Sequence, residues 1–178
     1  MRKSELLLSL AARVLVCGAV LGTAVVPTAL ADKSYVVKCA AGDKVADVLA
    51  KIANDSEPAV ITVVGVCSEF VSIGRDNVTL QGAAPGDGLQ APSPTRSTLG
   101  VSAARRVGLI QLTLRGGSNA LGVWHGAYLW ASDLRVTGAA TKFGIIVQQN
   151  SDVALSNPIV ENSFIGIAAT DGGYVSVS

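Results

Sequence analysis

Leu99-Gly100-Val101, Leu121-Gly122-Val123, Phe143-Gly144-Ile145 and Ile165-Gly166-Ile167 place a glycine between two apolar residues every 22 positions. A second column, Leu109, Ala131, Val153 and Val175, keeps the same step. A fixed period in the twenties marks a solenoid, in which each repeat buries its apolar face only by stacking on its neighbours. Three short strands joined by turns fill such a repeat better than a unit containing a helix. The expected fold is therefore all-β, a single-stranded parallel solenoid of about 22 residues per coil.

Strand alternation then sorts the side chains. Val101, Val123, Ile145 and Ile167 are expected to stack inside the coil, with Ser102, Trp124, Ile146 and Ala168 as an outward column. Continuing the alternation past Val123 turns His125, the only histidine, inward beside Ala103, Val147 and Ala169.

Ahead of the repeats, Val45, Val48, Leu49 and Ile52 fall at i, i+3, i+4 and i+7 and predict an amphipathic capping helix over 43–54, with Asp43 able to cap its start. The period then changes to two in the β-branched runs 60–64, 70–73 and 78–82. Residues 84–97, rich in Pro, Gly and Ser, read as a loop inserted into one coil. Val78-Thr79-Leu80-Gln81-Gly82 resembles Leu112-Thr113-Leu114-Arg115-Gly116 at a distance of 34 residues, which gives the insertion a length of about 12.

Residues 1–31 read as a signal peptide: Arg2, Lys3 and Arg13 precede an apolar run from Val14 to Val26, and Ala29-Leu30-Ala31 supplies a small-residue cleavage site. The expected product is residues 32–178, secreted or periplasmic, with no membrane span after cleavage. Cleavage takes three basic residues and Glu5 from totals of 14 and 13, leaving 11 basic and 12 acidic side chains. That balance speaks against a nucleic-acid partner, which would need a basic face. Two cysteines remain, Cys39 and Cys67, and in an exported chain they are expected to form one disulfide. No cofactor and no metal site is expected. The chain ends at Val175-Ser176-Val177-Ser178 within a strand pattern. The expectation is a truncated β-helix whose C-terminal end is covered by a downstream segment or an oligomeric partner.

Taken together, Cys39, the helix over 43–54, Ile61-Thr62-Val63, the run from Cys67 to Ile73 and Asn77-Val78-Thr79-Leu80-Gln81-Gly82 resemble the capped first coils of secreted right-handed parallel β-helix proteins of the pectin lyase-like superfamily. The 22-residue step is similar to that family's coil length. The resemblance implies a right-handed parallel β-helix and an association with polysaccharide. It does not specify an activity, because the fold carries lyases, hydrolases, epimerases, esterases and non-catalytic surface proteins. An Asp-Asp pair of the polygalacturonase kind is absent from the sequence, and Trp124-His125-Gly126 is only a faint echo of Gly-His-Gly.

No acidic column forms at the repeat spacing, since Asp133 aligns with Gln111 and Leu155, and Asp152 with Trp130 and Tyr174. Catalytic residues are therefore not assigned; an enzyme of this kind would be a polysaccharide lyase or glycoside hydrolase. The candidate carbohydrate contacts are Trp124, as an apolar platform for a sugar ring, and a polar stripe of Thr113, Arg135 and Asn157 that can hydrogen-bond hydroxyls or carboxylates. Two functions follow: a protein that binds or acts on polysaccharide, or a non-catalytic structural or adhesive scaffold.

Overall fold

β-Branched and leucine-rich runs of three to six residues, many of them closed by a residue in the left-handed backbone conformation such as Ala103, Gln111, His125 or Asp133, build the chain into stacked coils. The computed structural model describes residues 32–139 and 142–178; the signal peptide expected over residues 1–31 lies outside them. In chain order the elements are β1 (Lys33–Lys38), α1 (Val45–Lys51), β2 (Ala59–Val64), β3 (Val66–Ser68), β4 (Val71–Ile73), β5 (Val78–Gly82) and β6 (Gly88–Gln90). There follow β7 (Leu99–Ser102), β8 (Val107–Ile110), β9 (Thr113–Arg115), β10 (Asn119–Trp124), β11 (Tyr128–Ser132) and β12 (Arg135–Thr137). The last are β13 (Phe143–Val147), β14 (Asp152–Ser156), β15 (Ile159–Glu161), β16 (Ile165–Ala169) and β17 (Tyr174–Val177).

Every pairing is parallel and joins a strand to its counterpart one coil away, giving three sheets. The first holds β1-β2-β5-β8-β11-β14-β17, the second β3-β6-β9-β12-β15 and the third β4-β7-β10-β13-β16. The result is a right-handed parallel β-helix of about 6 turns and about 23 residues per turn. Its interior is a continuous aliphatic stack that includes Ile61, Leu80, Leu109, Leu114, Leu121 and Leu129, all fully buried.

The expected columns hold only in part. Val101 lies against Val123 and Ile145 against Ile167, but Val123 pairs with Val147 and Leu121 with Ile145, a step of 24. The second column divides likewise: Leu109 meets Ala131, Ala131 meets Leu155, and Val153 meets Val175. The extra two residues sit in the turn between β12 and β13. A slip of two preserves the period-2 alternation, so inward residues remain inward although their partners change.

Residues 84–97 are not one loop, because β6 lies within them and pairs with β3 and β9. Val78–Gly82 belongs to the first sheet and Thr113–Arg115 to the second, so their likeness does not measure an insertion. The true step from Thr79 to Gly108 is 29 residues. The seven residues beyond 22 are divided between the turns before and after β6.

At the N-terminal end the helix is shorter than expected, Val45–Lys51, and Lys44 rather than Asp43 occupies its N-cap without a side-chain bond. The Asp43 carboxylate instead accepts from the Lys38 N–H at 3.0 Å. The helix start is satisfied from outside: the buried Glu69 carboxylate accepts from the N–H groups of Val45 at 2.8 Å and Ala46 at 3.1 Å. Cys39 and Cys67 form a disulfide, which fixes this cap to β3. Glu69→Ala should therefore lower stability by about 2 kcal/mol, since it leaves two helix-start donors without their charged acceptor. Urea unfolding of the variant and the parent measures this difference.

Candidate functional site

Strands of the third sheet carry small outward residues where neighbouring coils meet, and this smoothness positions Trp124. Gly100 and Gly122 are in register on β7 and β10, and Trp124 follows two positions later against Ser102. The indole folds back across this strip: a Cβ at Gly122 would stand 2.0 Å from its Cη2, and one at Gly100 would stand 3.0 Å from its Cζ3. The Phe70 ring reaches the same Gly100, 3.7 Å from where a Cβ would lie, and the Arg96 guanidinium stands 5.4 Å from the centre of that ring. Close approach requires the glycine at Gly122, where any side chain would displace the indole from the sheet, whereas at Gly100 the ring would have to give by only a few tenths of an ångström.

Hydrogen bonds fix the ring and fringe it. The Trp124 Nε1–H donates to Gln148 Oε1 at 3.2 Å, and Gln148 Nε2 donates to Thr170 Oγ1 at 2.9 Å and Asp171 Oδ2 at 3.3 Å. His125 does not enter the core. β10 ends at Trp124, and His125 turns the corner with φ 58°, exposed, its Nδ1 2.8 Å from Ser102 Oγ. Alternation applies only within a strand, so it could not be carried across that corner. The arrangement is a half-buried indole held flat, with amide, imidazole, hydroxyl and carboxylate groups along its edges.

Arg135 is on another face. It lies outward on β12 in the second sheet, paired with Thr113 as expected on one side but with Ile159, rather than Asn157, on the other. The two-residue slip moves Asn157 out of the stripe and into the corner before β15, at φ 50°. Gln111 and Asp133 hold the same left-handed conformation in the corresponding corners, and Asn157 Nδ2 donates to Asp133 Oδ1 at 3.4 Å. Asp and Asn tolerate this backbone better than most residues. Trp124, Arg135 and Asn157 thus do not form one site.

Arg135 lines a surface groove of about 800 Å³ that runs over the second sheet from Gly86 to Glu161. Its guanidinium donates through Nε and Nη2 to Glu161 Oε1. Glu161 was not a candidate from the sequence, because it lies 26 residues after Arg135, four beyond the 22-residue step, and is the register partner of Thr137. The remaining aromatics are separate: Tyr128 and Trp130 lie on the first sheet, where Trp130 covers Gly108. Among the described residues no group of three or more His, Cys, Asp and Glu side chains is placed to hold a metal, and no helix is long and apolar enough to cross a membrane.

Comparison with known proteins places this geometry in a fold. No protein-family model matches the chain, and no curated protein matches it significantly. Among solved structures it is similar to a pectin methylesterase crystallised in complex with a hexasaccharide, with TM-score 0.58 and 20% identity over 84% of this chain and 56% of that one. It is also similar to the pectin methylesterase PemA from Erwinia chrysanthemi, with TM-score 0.59 and 19% identity over the same shares. The chain spans little more than half the length of each. With its stacked parallel coils, the chain shares the right-handed parallel β-helix fold with these two pectin methylesterases.

Proposed function

We propose that the chain is an exported protein that binds polysaccharide along the outer face of its third sheet, with Trp124 as the stacking platform. The observation that carries this reading is the indole laid across Gly100 and Gly122. A ring held flat on a sheet offers its free face to the C–H face of a sugar without further ordering cost. Gln148, His125, Ser102 and Thr170 bring donors and acceptors to the platform's edge for sugar hydroxyls. A neighbouring fold that holds a hexasaccharide supports a saccharide as the ligand class. The disulfide supports an oxidising compartment outside the cytoplasm.

Affinity electrophoresis through gels containing pectin, other acidic polysaccharides and neutral polysaccharides tests the reading. Native protein should be retarded by at least one pectic or related glycan. Trp124→Ala should weaken that binding about tenfold or more, and Trp124→Phe should retain part of it; tenfold corresponds to about 1.4 kcal/mol. Circular dichroism establishes that the variants are folded. Absence of retardation by every glycan would favour a non-catalytic structural or adhesive scaffold.

A further inference from the structure

The groove on the second sheet contains a cation without an anion among the described residues. Arg115, outward on β9, donates from Nη2 to the Gly86 carbonyl at 2.6 Å. Its Nη1 is buried and has no hydrogen-bond partner, and no carboxylate lies within ion-pair distance of it among the described residues. The groove's other cation differs, for Arg135 is neutralised by Glu161. A buried guanidinium nitrogen without an acceptor is costly, and a carboxylate is the partner whose geometry fits a guanidinium fork.

The groove around Arg115 supplies the complementary polar groups. Thr113 and Thr137 stand on β9 and β12 beside the two arginines, and Asp133 occupies the corner, accepting from Ser132 Oγ at 2.8 Å and from Asn157. Hydroxyls and a carboxylate acceptor suit a polyhydroxylated ligand, and about 800 Å³ lies within the range of small-ligand sites. From this we infer that the groove is a second saccharide subsite, selective for a sugar bearing a free carboxylate, with Arg115 as the carboxylate's partner. The choice of a sugar rests on the polysaccharide reading above. The site itself uses none of the residues of the Trp124 platform.

The Glu161 ion pair makes the groove's charge adjustable. Glu161 occupies Arg135, and substituting Glu161 by glutamine makes a second guanidinium available to the same anion. Two variants therefore shift affinity in opposite directions.

Isothermal titration of the whole chain with trigalacturonate, its methyl ester and a neutral galactan trisaccharide tests the inference, in a Trp124→Ala background as well as in the parent. Trigalacturonate should bind more tightly than its ester. Arg115→Gln should weaken the acid form about tenfold and leave the ester unchanged, whereas Glu161→Gln should strengthen the acid form several-fold. These differences should persist in Trp124→Ala, which separates this subsite from the third-sheet platform. Equal binding of acid and ester, or unchanged acid binding in both folded variants, would overturn the inference. Loss of acid selectivity with Trp124→Ala alone would assign that selectivity to the platform instead.

Discussion

Removing the Cys39–Cys67 bridge, as the double Cys39→Ala and Cys67→Ala variant, should lower stability by about 3 to 4 kcal/mol. The two residues are 28 apart in sequence, and the loop they close contains a short 3-10 turn (Cys39–Ala41), helix α1 and the whole of β2. Cross-linking that loop restricts the unfolded chain, and in the folded state it holds the helical cap onto the first coils. Cys67 is also buried among aliphatic side chains, so truncation to alanine adds a small packing loss. Guanidinium denaturation of the variant, compared with the oxidised parent, measures the difference. A change below about 1 kcal/mol would mean that the cap contributes little to the cooperative unit.

Gly88→Ala should be nearly as severe, costing about 3 kcal/mol, because the new methyl meets backbone rather than a movable side chain. A Cβ at Gly88 would stand 1.9 Å from the Thr113 carbonyl oxygen and 2.8 Å from the Thr113 carbonyl carbon. Gly88 and Thr113 are register partners in the β6-β9 pairing, so relief requires those strands to part. Gly126→Ala is the useful control for glycine replacement at a turn, since nothing lies within 4 Å of a Cβ there although its φ is +71°. Its cost should be smaller, confined to the left-handed backbone. Thermal melts of the two variants give the comparison, and equal losses would contradict the steric account.

The repeat was legible because strand alternation and solenoid period are both written in single residue types. Glycine and β-branched positions alone give the coil, the inward face and much of the buried core. What the period could not show is the length of an individual turn. The turn between β12 and β13 takes two extra residues, which shifts Val123 onto Val147 and sends Asn157 away from Arg135. Since two is the strand period, the error leaves burial untouched and changes only lateral neighbours. Sites suffer most from this, because they are made of lateral neighbours: Glu161 beside Arg135 depends on the shifted register.

Trp124 was legible in direction, and its support was visible too, since Gly122 precedes it by two and Gly100 lies one coil below. A glycine column two positions before an outward tryptophan is a signal for a ring folded back onto the sheet. Trp130 on the first sheet covers a glycine of a different kind, Gly108, its own register partner on the neighbouring strand. The unpaired Arg115 had no such signal. Its isolation follows from the placement of Gly86 by the turn before β6, which no spacing in the chain encodes.

The central claim, that polysaccharide lies along the third sheet on Trp124, is tested most directly by residue-resolved NMR during titration with a pectic oligosaccharide. Expected are saturable shifts of the Trp124 indole N–H, the Gly100 and Gly122 amides and the Gln148 side-chain amide, which all meet on that face. Shifts confined to the first sheet around Trp130, or a folded protein whose spectrum does not respond to any oligosaccharide tried, would contradict it.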